Sequence, residues 1–275
     1  MAQAILGGLI AQKMRPADFC VVEPAPDARA AVAALGVVAR AELASDLLDC
    51  EAIVLAVKPQ VIKAAILPLA GQLDSQVIIS IAAGVGTSSL ATWIGGADSP
   101  YKNLIRAMPN TPALIRAGIS GLYATADVGI EGKQIAETLL GAVGKTVWFD
   151  DEQMLDAVTA VSGSGPAYVF YFVEALEEAA MELGFDRETA HLFACQTFLG
   201  SAQLAASTDA SPGILRARVT SKRGTTEAAI STFDRHAMKQ AFTDGVKAAC
   251  ARSRELGKEL EEVPVAWTDT TKGAN

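Results

Sequence analysis

Residues 1–24 read MAQAILGGLIAQKMRPADFCVVEP: a helical segment, Ala2 to Gln12, comes first, and a short apolar strand, Phe19 to Glu23, follows it. A dinucleotide-binding α/β unit runs strand, glycine-rich turn, helix, strand, and places an acid on the ribose about 20 residues beyond the turn. The helix and the second strand are present, and Glu23 stands at about that offset from a turn ending just ahead of Met1. The reading is a nucleotide site whose first strand and phosphate cradle are expected in front of the given start, with Glu23 as its ribose contact.

The chain continues in the same alternation. "FCVVE", "AIVLAV", "QVIISIAAG", "NLIRAMPNTP", "ISGLYATA" and "KTVWF" are short apolar runs punctuated by Gly or Pro, and "DARAAVAALG" and "IKAAILPLAGQL" between them carry Ala and Leu at helical spacing. This predicts βα units around a mainly parallel sheet, with ligand loops at the carboxyl ends of the strands. After Asp151 the strand signals stop. Three long helical segments follow, Pro166 to Leu183, Arg187 to Ala206, and Thr225 to Leu256 with a break near Asp234. The first has Val169, Phe172, Val173, Leu176, Ala180 and Leu183 on one side and Glu174, Glu178 and Glu182 on the other. The expected fold class is α/β plus all-α: a nucleotide-binding domain over 1–150, a helical domain over 151–258 and a polar tail over 259–275.

Composition narrows the function classes. A formal net charge of −8, with aromatic residues at 6%, leaves no basic, ring-bearing stripe for nucleic acid. Four scattered cysteines without a CxxC pair suit buried thiols in a reducing compartment. The only histidines are His191 and His236, each read as a satisfied helix or surface residue, so no metal site is expected. The uncharged stretch between Asp156 and Glu174 is interrupted by Gly, Ser and Pro and falls short of the ~20 apolar residues of a membrane span. The opening segment has no basic residue ahead of it to make a signal peptide. A cytoplasmic protein is expected, without a nucleic-acid or membrane partner.

"AVKPQ" (56–60), "MPNTP" (108–112), "VSGSGPAY" (161–168) and "VTSKRGTTEAAI" (219–230) together resemble the pyrroline-5-carboxylate reductase family. The resemblance runs from Met1 to about residue 258, with the four motifs in the family's order. It implies a Rossmann-like NAD(P)-binding domain, here lacking its first strand, and a helical domain that forms an interlocked homodimer, with a ring of dimers as the larger assembly. It also implies hydride transfer from NADPH or NADH to the C=N bond of a cyclic imine carboxylate, 1-pyrroline-5-carboxylate, giving L-proline.

Site residues follow from the same match. Ala56, Val57, Lys58 and Pro59 correspond to the family's cofactor passage, and Asn110 and Thr111, with Pro112, to the nicotinamide pocket. Ser162, Gly163, Ser164 and Gly165 precede a long helix whose free N–H groups suit a carboxylate. Ser221, Gly224, Thr225 and Thr226 correspond to the substrate loop, with Thr226 as imine contact and donor, Thr220 as support and Asp209 in a supporting place. Family members usually read Pro-Gly where this chain has Lys222 and Arg223, which puts the path of the loop in question. Cofactor choice stays open: Glu23 disfavours a 2′-phosphate by charge, whereas the family commonly uses NADPH.

Two other functions fit parts of the pattern. A related imine or 3-hydroxyacid reductase shares the two-domain plan, but a hydroxyacid enzyme needs a lysine on the helix after Pro166, which has none. A non-catalytic relative that keeps only the helical dimer would explain the altered loop, but has no need of three intact motifs. A missing central strand would also leave backbone groups unpaired. Hydrogen exchange on this chain is therefore expected to show weak protection over Phe19 to Val57; uniform strong protection there contradicts the expectation.

Overall fold

The computed structural model describes residues 1–43 and 49–262. Its first compact unit comprises Met1–Gly163 and the chain from Ala249 onward, and its second comprises Ser164–Ala248.

The first unit holds two sheets. Helix α1 (Ala2–Ala11) leads to β1 (Cys20–Val22), α2 (Pro26–Ala33) and β2 (Val38–Arg40), and β1 and β2 pair in parallel as a separate ribbon. The second sheet has the order β3-β4-β5-β6-β7: β3 (Ala52–Leu55), β4 (Val77–Ser80), β5 (Leu104–Met108), β6 (Gly118–Ala124) and β7 (Gly144–Trp148). Helices α3 (Ile62–Ile66), α4 (Thr87–Gly95) and α5 (Ile130–Gly141) connect its strands. The six strands expected from the apolar runs are all present. β2 adds a seventh: three residues after the left-handed Gly36 are too few to alternate visibly.

β3, β4 and β5 run parallel, so the loops after them open at one edge of the sheet. β6 is antiparallel to β5. Only a 3₁₀ turn (Thr111–Ile115) and its flanks join the two strands, which is shorter than the dozen residues a parallel crossover needs.

α1 unites the two sheets. Its Ile5 and Leu9 pack into one cluster with Val77, Ile79, Ile105 and Leu122, while Leu6 on the next face packs with Val32 and Val37 beneath the β1–β2 ribbon. A helix that serves two cores is apolar around most of its circumference, as AILGGLIA is.

After β7 the chain enters α6 (Met154–Val158) and a single π-helical turn (Thr159–Gly163). The second unit carries α7 (Gly165–Glu182), α8 (Arg187–Ala206), α9 (Pro212–Arg218), α10 (Thr225–Arg235) and the first part of α11 (Met238–Glu262). Asp186 caps α8: its carboxylate accepts from the Thr189 N–H at 2.8 Å and the Thr189 hydroxyl at 3.1 Å, and these bonds hold the carboxyl below its ordinary range. The helix break expected near Asp234 falls slightly later, at Ala237, whose left-handed φ of 50° separates α10 from α11. None of α7 is fully buried, and Phe170 and Tyr171 are 66% and 69% exposed. Among the described residues no helix is long and apolar enough to cross a membrane.

The end of α11 returns to the first unit. Leu260 packs against the cluster around Ile62, Ile78 and Leu90, and Ser253 donates to Asp156 Oδ1 at 2.7 Å. Gly257 permits this approach, since a Cβ there would lie 2.9 Å from the carbonyl oxygen of Gly84. The polar tail expected from residue 259 is thus still helical to Glu262, where Arg252 pairs with Glu255 and Glu259 at 3.1 and 2.7 Å. Residues 263–275 lie outside the described residues.

Candidate functional site

The predicted cofactor residues lie at strand ends of the first unit. Glu23 follows β1, its N–H donating to the Arg40 carbonyl at 2.8 Å. Its carboxylate accepts from the Ala25 N–H at 2.9 Å, so the acid is engaged with its own turn. Arg29, at the start of α2, donates to the carbonyls of Glu23 and Pro24 at 2.8 and 2.7 Å. Its guanidinium therefore sits at the end of β1. Sequence alone could not distinguish this from the outer face of the helix.

Ala56, Val57 and Lys58 follow β3, with Lys58 in extended backbone, and Pro59 opens a 3₁₀ turn over Pro59–Val61. Proline at that position costs no hydrogen bond and fixes the turn. Lys58 is exposed, and Val57 is an apolar side chain left open at a strand end.

Asn110 and Thr111 follow β5. The Asn110 side chain is used at both ends: Nδ2 donates to the Ser162 carbonyl at 3.2 Å, and Oδ1 accepts from the Ile119 N–H at 2.9 Å. It thereby binds the loop after β5 to the start of β6 and to the π turn. Gly163 faces β5, where the Met108 methyl carbon fills the space a Cβ would take. Ser162 donates its hydroxyl to the Val158 carbonyl at 3.0 Å. Asn110, Ser162 and Gly163, far apart in sequence, thus form one constellation.

The remaining predicted residues belong to the second unit. Ser164 and Gly165 begin α7 with Pro166 in the first turn and no side-chain cap. In the loop before α10, the Ser221 carbonyl accepts from the Gly224 N–H at 3.0 Å. Arg223 takes a left-handed φ of 60°, the region a glycine enters freely, so the turn forms here with an arginine at that position. The Arg223 N–H donates to Glu227 Oε2 at 2.6 Å, which fastens the loop to the first turn of the helix. α10 has Gly224 as its N-cap and no side-chain cap, leaving the first-turn N–H groups at Thr225 and Thr226 without one. Thr226 is half-buried and Thr225 exposed. Thr220 donates its hydroxyl to the Arg216 carbonyl at 2.7 Å, while Asp209 is exposed.

One group in the first unit escaped the sequence reading. The Glu152 carboxylate accepts from the Thr87 N–H at 2.7 Å, the Thr87 hydroxyl at 2.6 Å and Arg106 Nη1 at 2.8 Å. It caps α4 from 65 residues away and neutralises an arginine on β5. Nothing local in sequence marks such a long-range pairing.

Residues 152–256 match the family described as pyrroline-5-carboxylate reductase dimerisation, and residues 1–84 match NADP oxidoreductase coenzyme F420-dependent. A pyrroline-5-carboxylate reductase of Pseudomonas aeruginosa is 45% identical over 94% of this chain and 94% of its own length. Among solved structures, one from Coxiella burnetii, described as a pyrroline-5-carboxylate reductase, aligns with a TM-score of 0.85 at 39% identity, covering 93% of this chain and 94% of that one. A pyrroline carboxylate reductase of Plasmodium falciparum, solved with NADP bound, aligns at 0.80 and 25% identity over 92% and 93%. A Rossmann-like unit joined to a helical dimerisation unit defines a class, the nicotinamide-dependent oxidoreductases of two-domain plan. Within that class, this chain belongs to the pyrroline-5-carboxylate reductase family.

Glu152 holds together three elements that carry or flank the site. Charge-assisted bonds of this kind contribute roughly 1.5–3 kcal/mol each, reduced by partial exposure. Glu152→Ala is expected to lower the free energy of unfolding by about 2–3 kcal/mol in urea denaturation; a loss below about 0.5 kcal/mol, the size of an ordinary surface change, would contradict the assignment.

Proposed function

We propose that this chain reduces 1-pyrroline-5-carboxylate to L-proline with NAD(P)H, the last step of proline biosynthesis, with the residues named above dividing the work. Membership of the family supports the reaction. The observation that carries the assignment of residues is the uncapped start of α10, where two threonines and free N–H groups suit a carboxylate on the carbon next to a ring nitrogen.

The loops after β1, β3 and β5 suit a dinucleotide. The apolar Val57 and the half-buried Ala56 line a strand end, Asn110 fixes the next loop, and Arg29 brings positive charge to the end of β1. One accepted bond leaves the second Glu23 oxygen for a ribose hydroxyl, and the Arg29 guanidinium at the same strand end suits a 2′-phosphate, so NADH and NADPH both fit here. When bound, the nicotinamide supplies the hydride. The protein orients the imine: backbone N–H groups of the α10 turn and Ser221 anchor its carboxylate, and Thr226 donates a hydrogen bond to the ring nitrogen. Ser164, Gly165 and the first turn of α7 supply further donors. Lys222 and Arg223 add positive charge to the approach of an anionic substrate.

The enzyme is oligomeric, and we assign its homodimer to the helical region 151–258, where the apolar face of α7 is open. A ring of such dimers and a cytoplasmic location complete the proposal.

Thr226→Val tests the role of the hydroxyl. Loss of a single aimed donor lowers turnover about 10²–10³-fold, so kcat/KM for pyrroline-5-carboxylate is expected to fall by about that factor while NADPH binding is unchanged, and Thr226→Ser is expected to stay within about tenfold of the native enzyme. A Thr226→Val enzyme within about twofold of native would remove Thr226 from this role.

A further inference from the structure

A cluster on α7 and α8 brings together three different metal-ligating atoms. Glu177 lies on α7, and His191 and Cys195 lie one turn apart on α8. The two helices are joined by the short stretch Leu183–Asp186, so they run as antiparallel neighbours, and Glu177 and His191 stand seven residues to either side of Gly184. Equal distance from the turn places them opposite each other. Cys195, four residues after His191, shares its face.

His191 Nδ1 is 2.7 Å from Glu177 Oε1, and Cys195 Sγ is 3.8 Å from Nδ1 and 3.7 Å from Nε2. One ligand atom from each residue falls within 4.8 Å of the others. The carboxylate and imidazole alone would make an ordinary pair. The sulfur does not extend that pair as a hydrogen bond, since it is almost equally far from both ring nitrogens and so off the axis of either lone pair.

We propose that Glu177, His191 and Cys195 form a binding site for a zinc-class divalent ion, with water as the fourth ligand. Zinc bound at about 2.0–2.2 Å to nitrogen and oxygen and about 2.3 Å to sulfur sets its tetrahedral ligands roughly 3.3–3.6 Å apart. The observed carboxylate–imidazole distance must open by less than 1 Å, and the sulfur–nitrogen distances already lie close to this spacing. His191 is 66% exposed at its side chain and Glu177 25%, so both have room to turn. A thiolate with an imidazole selects zinc or cobalt over magnesium or calcium. Binding forms the metal–sulfur bond and releases the thiol proton to solvent. The ion would clamp α7 to α8. Sequence marks His191 as an ordinary helix side chain because the acid that completes this group comes from the preceding helix.

The test uses the full chain, stripped with chelator, kept reduced, and titrated with Co²⁺ and then Zn²⁺. One Co²⁺ per chain is expected, with a thiolate-to-cobalt charge-transfer band, displacement by Zn²⁺ and no competition from Mg²⁺. Cys195→Ser is expected to abolish the band, and His191→Asn and Glu177→Gln to weaken Zn²⁺ at least tenfold, the lower limit for loss of even an outer partner. Zn²⁺ is expected to raise the Tm of the native protein and leave that of Cys195→Ser unmoved. Unfolding of each variant without metal confirms that it is folded. Absence of saturable binding, equal competition by Mg²⁺, or a band and affinity unchanged in Cys195→Ser would overturn the proposal.

Discussion

The side-chain amide of Asn110 ties together three pieces of chain: the loop after β5, the first residues of β6 and the π turn before α7. An amide can do this because it donates and accepts in fixed directions, and here both groups find backbone partners. β6 must turn back on β5 within a short connection, so its entry needs a local anchor. The Ser162 carbonyl finds no donor four residues on, because Pro166 has no N–H, and the Asn110 amide meets it. Glu152 reinforces the same region from the other side by holding α4 and β5 to the start of α6. The candidate cofactor loops are therefore positioned by polar contacts at the rim of an apolar sheet, whose central strands β4 and β5 are almost wholly buried.

The helical unit obeys a different constraint. Among its described residues only Ala190 and Ala194 are fully buried, and many of its large apolar side chains face outward. Such a unit reaches the density of a protein interior only by association, which agrees with the dimerisation family that residues 152–256 match. The proposed substrate loop ahead of α10 is held locally by the Arg223–Glu227 bond, and the first-turn N–H groups at Thr225 and Thr226 have no side-chain cap.

The features legible in sequence were those with short-range causes. Apolar runs marked all the longer strands, and alanine-rich periodicity placed α1, α7 and α8 to within a residue or two, because burial on one face imposes a period. β2 was missed since three residues carry no period. α9 was missed because its single exposed turn-pair, opened by Ser211 and Pro212, resembles a loop. Within the candidate site, the glycine, proline and threonine motifs were visible as motifs, but the roles of Asn110 and Glu152 were not. Asn110 acts through a carbonyl 52 residues away, and Glu152 through a helix 65 residues away. Arg223 ran the other way: in sequence it signalled a broken loop, and the structure accommodates it by a left-handed backbone.

The most direct measurement is NADPH binding to the purified chain followed by hydrogen exchange. The account predicts saturable binding and slowed exchange at Val57, Lys58, Asn110 and Thr111, the strand-end positions assigned to the cofactor. Saturable binding that leaves those amides unprotected, or no binding at all, would contradict the placement of the cofactor on these loops.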